Sequence, residues 1–171
     1  MTPKAVPWRR RVWGAVVVLL VAVVAKNVLD TLIRVVMWRT HWRPGLDALR
    51  RYNKRFTNAS AARTAGKKGT GTTAVHHVGR KSGKPYVTPV WGERVGERFF
   101  IQLPYGTDVD WCRNILAAGG CTLEQASVWY DAVAPVIVPA AEARPLLPAA
   151  ARRMQGIIGA ESYLRLDISP G

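Results

Sequence analysis

A chain of 171 residues has room for one ordinary domain and an appendage. Its net charge of +14 is uneven: residues 1–68 hold 15 Lys/Arg against 2 Asp/Glu, and residues 69–171 hold 10 against 9. A near-neutral domain therefore follows a basic leader, and the apolar run inside that leader points to anionic lipid rather than nucleic acid.

The run is Val12 to Ala25, 14 residues without a charge. As a helix it reaches about 21 Å, short of a hydrocarbon core of about 30 Å. Arg9, Arg10 and Arg11 precede it, and Trp8 and Trp13 stand where interfacial aromatics belong. The helical pattern then continues. Lys26, Asn27, Asp30, Thr31 and Arg34 share one side, and Val28, Leu29, Leu32, Ile33, Val35 and Val36 cover the other. A membrane anchor, a cleaved signal peptide and a buried core helix all fit the run. The anchor fits best, because the helical pattern passes the would-be cleavage site Val23-Val24-Ala25. Charge on both flanks leaves its orientation open.

Pro44-Gly45 breaks this element. Leu46, Leu49, Asn53 and Phe56 then recur at helical spacing beside Arg50, Arg51, Lys54 and Arg55, predicting a basic helix on lipid headgroups. A flexible stretch follows, and the glycines of residues 65–71 read as a linker. The expected division is 1–40, 41–70 and 71–171.

After Gly71 the texture becomes that of short strands: Thr73–Val78, Pro85–Gly92, Arg98–Leu103, Cys121–Ala126, Val128–Val138 and Tyr163–Ile168. Residues 93–97 read as a hairpin turn. A short helix is expected from Asp108, its N-cap, through Leu116, with Gly119-Gly120 ending it. Ala140 to Met154 carries helix formers interrupted by Pro145 and Pro148. The expected fold is α+β, mainly β: a small antiparallel split β-barrel of six strands crossed by one short helix.

The most informative stretch is Gly79-Arg80-Lys81-Ser82-Gly83-Lys84-Pro85. Two glycines permit left-handed backbone and close approach. Three cations around exposed backbone N–H groups make a seat for phosphate or carboxylate. An ordinary hairpin turn with solvated charges is the plainer alternative. His76 and His77 are adjacent on a strand and so face opposite sides, which suits packed or solvated roles, although one could reach a ligand slot. Cys112 and Cys121 make no metal signature and read as reduced thiols, one disulfide between them being the alternative. Asp108 and Asp110 read as helix caps rather than metal ligands.

The glycine-bounded basic loop, Pro85 and Pro89 on the next strand, and Trp111 and Asn114 opening a helix resemble the deazaflavin-dependent nitroreductase family of the split β-barrel, flavin-binding superfamily. The resemblance covers about residues 72–138. It implies a membrane-associated oxidoreductase on the cytoplasmic side. Such an enzyme binds coenzyme F-420 and passes hydride to a quinone such as menaquinone, a nitroaromatic or an activated alkene, with residues 1–68 on anionic lipid. It also implies roles. Arg80, Lys81 and Ser82 would hold the anionic tail. Tyr86, Val87, Thr88, Pro89, Val90 and Trp91 would run beside the ring. Gln102, Leu103, Pro104 and Tyr105 would face them, and Asp110, Trp111, Cys112, Arg113 and Asn114 would close the site. Tyr86 and Tyr105 stand where family members often carry cations, and the loop from Gly106 to Trp111 is shorter, which brings in FMN as the alternative cofactor. Tyr130 and Tyr163 are the candidates for the substrate-orienting tyrosine. Two other readings are a non-catalytic binder of a flavin-type cofactor, haem or lipid on the same barrel, and a basic membrane-adaptor module.

Overall fold

The computed structural model describes residues 8–53 and 58–169. Lys54, Arg55 and Phe56, expected on the basic helix, lie outside the described residues, as do the side chains of Trp8 and Arg9 to Arg11. The chain divides into two compact units, Met1–Met37 and Trp38–Gly171.

The first unit is the body of helix α1, Trp8–Arg39, 32 residues long. From Val12 it is long and apolar enough to cross a membrane, and its apolar side chains are exposed. Lys26 and Asp30, one turn apart, pair at 2.8 Å, so the two charges that end the apolar run cancel within the helix.

The second unit opens with α2, Arg43–Tyr52, which has Pro44 in its first turn, where no intrahelical donor is lost. Next comes α3, Asn58–Thr64. Seven strands form one sheet: β1 Thr73–Val78, β2 Pro85–Val90, β3 Gly92–Val95, β4 Arg98–Gln102, β5 Gly120–Gln125, β6 Val128–Pro139 and β7 Ser162–Ile168. All pairings are antiparallel, in the order β2-β1-β5-β6-β7-β4-β3. The result is a curled half-barrel. The curl centres on β6, whose first half pairs with β5 and whose second half pairs with β7. The two pairings overlap at Ala132 and Val133, and within the β7 pairing the register slips at Val133/Val136, where Ala134 has φ +50°. A bulge there bends the strand, so that one strand serves both sides of the sheet. Pro85 and Pro89 sit on β2, an edge strand, where a residue without an N–H costs the ladder least.

Both sheet faces are covered, which is why the adjacent Phe99 and Phe100 are both buried while pointing in opposite directions. Phe99 joins Val75, Ile101, Leu123, Leu164 and Leu166 under Cys112 and Ile115 of α4, Asp110–Ala118. Phe100 joins Val138 and Tyr163 under Ala143 of α5, Ala140–Ala143, and Leu147. A 3-10 turn at Arg144–Leu146 separates α5 from α6, Ala149–Ile158. Each fully buried aliphatic or Phe side chain contributes about 1.5–3 kcal/mol, so these two cores supply most of the domain's cohesion.

Four expectations are corrected. Residues 92–95 form a seventh strand, so the turn shrinks to Gly96-Glu97. Val109 rather than Asp108 precedes α4 at the N-cap, with no side-chain cap, because Asp108 is drawn onto Arg113 at 2.7 Å. Asn58–Thr64 is helical rather than a flexible stretch. Residues 65–71 do not behave as a linker: Ala65 and Gly66 are buried, Gly66 N–H bonds Thr72 O, and Ser127 N–H bonds Gly66 O at 2.7 Å.

Candidate anion and cofactor site

The loop between β1 and β2 is a closed turn whose own backbone consumes most of its donors. Gly79 N–H reaches Lys84 O at 2.9 Å, and Gly83 N–H reaches Gly79 O at 2.8 Å. Lys84 N–H reaches Ser82 Oγ at 3.4 Å. Gly83 takes φ +64°, a conformation costly for other residues. Gly79 is required for a different reason. A Cβ there would lie 2.4 Å from Ser82 Oγ and 2.8 Å from the Tyr86 ring, so the glycine lets Ser82 and Tyr86 close over it, with Ser82 Oγ and Tyr86 OH 3.2 Å apart.

Arg80 binds the loop to α4. Its main-chain N–H and its Nη1 both donate to Asn114 Oδ1, at 3.1 and 2.9 Å. Nη1 also donates to Asp110 O at 3.3 Å, and Nη2 pairs with Asp110 Oδ1 at 3.5 Å. Asn114, 6% exposed, turns its Nδ2 to His77 Nδ1 at 3.1 Å. His77 Nε2 meets Thr88 Oγ1 at 3.0 Å, and its ring stacks on Tyr86 at 5.7 Å. Burial pushes the His77 pKa below its ordinary 6.5, outweighing a hydrogen bond to the Val78 backbone that raises it. One chain of contacts thus runs Thr88, His77, Asn114, Arg80, Asp110 across β2, β1, the loop and α4.

Arg80 is therefore spent on holding the loop, while Lys81 and Lys84 are exposed and their side chains have no ion-pair partner among the described residues. The main-chain N–H groups of Lys81 and Ser82 are likewise not taken up by the bonds that close the turn. Helix α2 adds charge from the other side: Arg50 donates to Asp108 O at 3.3 Å and lies 3.8 Å from Asp110 Oδ2. A shallow cleft of about 210 Å³ opens there between Asp47, Arg50, Arg51 and Asp110.

Beyond the loop, Tyr86 and Val87 are exposed, and Thr88, Pro89 and Val90 are half-buried. Trp91 packs edge-on against Trp38, and Trp38 meets Tyr105, whose hydroxyl accepts from Asn53 Nδ2 at 2.9 Å. Pro104 and Trp111 are half-buried. Three residues assigned to the site are enclosed instead. Leu103 and Cys112 belong to the core under α4, and Gln102 is buried with its Nε2 donating to Gln155 O at 2.9 Å. Arg113 turns outward to Asp108. Tyr163 is fully buried in the second core, and Tyr130 lies over Phe99 with Arg94 5.1 Å from its ring, so neither stands at the loop. Cys112 and Cys121 are both free thiols.

Sequence reasoning missed Arg50, Asn53 and Trp38, and gave His77 no structural partner. No local pattern marks them, since each acts on a residue more than 30 positions away.

A family model described as F420H(2)-dependent quinone reductase matches residues 49–156. No curated protein matches the chain in sequence. Among solved structures, one described as an F420 reductase is similar at 18% identity, covering 58% of this chain and 86% of that one with a TM-score of 0.40. A structure described as a domain-swapped dimer is similar at 13% identity over 71% and 98%, with a TM-score of 0.47. The haem storage protein HutZ from Vibrio cholerae is similar at 14% identity over 60% and 83%, with a TM-score of 0.39.

Proposed function

Because the chain belongs to the F420H(2)-dependent quinone reductase family, we propose that it reduces a lipid-soluble quinone, such as menaquinone, at a membrane surface with coenzyme F-420 as its hydride source. The family makes it an oxidoreductase that uses the reduced deazaflavin. The acceptor, the membrane and the site residues are our own assignment.

The observation that carries it is the loop pinned by Arg80. Its fixed frame presents two lysine ammoniums and two main-chain N–H groups that no other part of the described chain uses. That donor set suits a phosphate or carboxylate tail. The adjoining surface suits a flat conjugated ring, since Tyr86, Val87, Pro89, Val90 and Trp91 offer aromatic and apolar contact with few polar groups. Lys81, Lys84 and Ser82 would hold the tail, and β2 would support the ring. When bound, the reduced deazaflavin supplies the hydride, and one proton from solvent completes conversion of a quinone to a quinol. The chain's own work is to bind, orient and exclude water. Arg80 and Asn114 keep the loop in shape, and neither has to move for a ligand to meet Lys81.

Helix α1 supports the membrane part of the reading. Its exposed apolar stretch and internal Lys26–Asp30 pair suit insertion into lipid. Residues 38–171 would then face the cytoplasm, where the cofactor is. Because both native thiols are buried or half-buried, the sidedness test needs a new thiol at an exposed turn, such as Glu97→Cys. Labelling of that thiol by an impermeant reagent in intact cells would overturn the topology.

The function is tested by titrating the full chain, in detergent, with oxidised coenzyme F-420 and with FMN in parallel. Saturable deazaflavin binding that weakens about tenfold or more in Lys81→Ala/Lys84→Ala is expected, since each lost charge-assisted contact costs about 1–3 kcal/mol. Binding of FMN alone would transfer the proposal to the flavin-binder reading.

A further inference from the structure

We propose that His77 is a positioning residue for the cofactor loop: as a neutral Nε2–H imidazole it holds the Asn114 amide in the one orientation that lets Oδ1 grip both the main chain and the guanidinium of Arg80. The inference rests on the functional reading above for its consequence, but not for its geometry.

Arg80 offers only donors to Asn114: a backbone N–H at 3.1 Å and Nη1 at 2.9 Å. The amide must therefore present its oxygen to Arg80, and its Nδ2 is left facing His77 Nδ1 at 3.1 Å. Since Nδ2 can only donate, Nδ1 must accept and carries no proton. The ring proton then sits on Nε2 and donates to Thr88 Oγ1 at 3.0 Å. Every role in the relay follows from arginine's lack of an acceptor.

A proton on Nδ1 would set N–H against N–H. Asn114 could relieve this only by flipping its amide, which would turn two donors onto the donors of Arg80. Burial leaves little water to substitute, with His77 8% and Asn114 6% exposed. The surrounding groups decide which form prevails. On β1, burial disfavours charge on the His77 ring, the Val78 backbone favours it, and a charge on His76, which points to the opposite face, would disfavour a second one. From β2, the Tyr86 ring stacks on the imidazole and Thr88 accepts from it. From the loop comes cationic Arg80. On α4, Asp110 reaches the relay through Arg80, Arg113 is occupied with Asp108, and Cys112 is a neutral buried thiol. The neutral ring is therefore the resting form near neutral pH, and acidification releases Arg80 and with it the frame that displays Lys81 and Ser82.

The test uses the full chain in detergent, with three histidines in all to assign. Histidine-selective nitrogen NMR reads the His77 tautomer, and the Arg80 amide resonance reads the loop. Coenzyme F-420 binding is measured by calorimetry from pH 8 to pH 5. We expect an unprotonated Nδ1 at pH 7.5, an Arg80 amide that shifts together with His77 titration below pH 6.5, and deazaflavin affinity that falls at least tenfold over the same range. In His77→Asn, whose Oδ1 can accept from Asn114 without titrating, the Arg80 shift should disappear and binding at pH 5 should recover at least fivefold over wild type. In His77→Phe, which cannot accept, binding should be at least tenfold weaker at every pH. A protonated Nδ1 at pH 7.5, or an Arg80 amide that titrates identically in His77→Asn, would overturn the proposal even if the cofactor binds. Absence of cofactor binding with the Arg80 coupling intact would instead overturn the functional reading and leave the relay standing.

Discussion

Lys67 Nζ closes a 2.8 Å ion pair on Glu124 Oε1 across 57 residues of sequence, and the Glu124 side chain is only 4% exposed. This pair fastens the segment before β1 onto the outer face of β5, beside His76 and Trp129. Lys67→Met would strand a buried carboxylate. It should lower unfolding stability by about 1–3 kcal/mol, less than a fully buried pair because Lys67 itself remains half in solvent. Lys67→Met/Glu124→Gln should recover part of that loss in urea melts. Equal costs for the single and double variants would refute the coupling.

Gly66 makes the same junction through the backbone. It has φ +77°, and a Cβ would fall 2.5 Å from Glu124 O, an atom fixed in the β1–β5–β6 ladder. Gly69 has φ +86° and open space around it. Gly69→Ala should therefore cost only the left-handed backbone, about 1–2 kcal/mol, and Gly66→Ala clearly more. Thermal melts of the two variants side by side give the comparison, and similar midpoints would show that residues 65–71 do not pack as described.

Burial pushes the Cys112 thiol up to about 11 and the Cys121 thiol up to about 12. Neither should react with an aromatic disulfide reagent at pH 8 until denaturant is added, when both should. The same shifts predict an alkaline limb. Above pH 9 the unfolded chain loses thiol protons that the folded chain keeps, so stability should fall as pH rises from about 9 toward 11 to 12. Cys112→Ala/Cys121→Ala should flatten that limb, and an unchanged slope would assign it to other groups.

The acid limb carries the opposite sign. The His77 pKa is lowered on folding by burial, so the unfolded chain binds the proton first. The His77 contribution is complete above pH 6.5 and is lost as pH falls through that value toward the folded pKa. Urea midpoints of wild type and His77→Asn should run parallel above pH 7 and converge below pH 6. Curves parallel throughout would exclude His77 from the limb.

Much of the domain could be read from local pattern. The strands expected at residues 73–78, 98–103, 128–138 and 163–168 announced themselves by β-branched and aromatic runs and form within one residue of those bounds, and Gly119, with φ +74°, ends α4 where its glycines predicted. Where the reading slipped, a distant partner outweighed a local preference. Asp108 suits an N-cap but bonds Arg113 instead. Glu93 to Glu97 looks like a turn because glycines Gly92 and Gly96 lie at its ends, yet Gly92 to Val95 pairs with β4 along its whole length. The glycines of residues 65–71 suggest freedom, and one of them is there because Glu124 leaves no room for a side chain.

The loop shows the same division at the level of the site. Sequence alone determined that residues 79–85 carry glycines, a hydroxyl and three cations in a turn between strands, because backbone freedom and charge are properties of residues and their neighbours. Sequence also determined that an apolar helix precedes the domain, since length and hydropathy need no partner. Only the tertiary structure decided which cations remain available. The antiparallel pairing of β1 with β2 sets His77 beside Thr88, and the packing of α4 sets Asn114 under the loop, so Arg80 is consumed by acceptors lying 30 and 34 residues away. Hydrogen bonds require partners within about 3 Å with the right donor and acceptor sense, and no sequence spacing encodes that proximity once the partners lie on different elements.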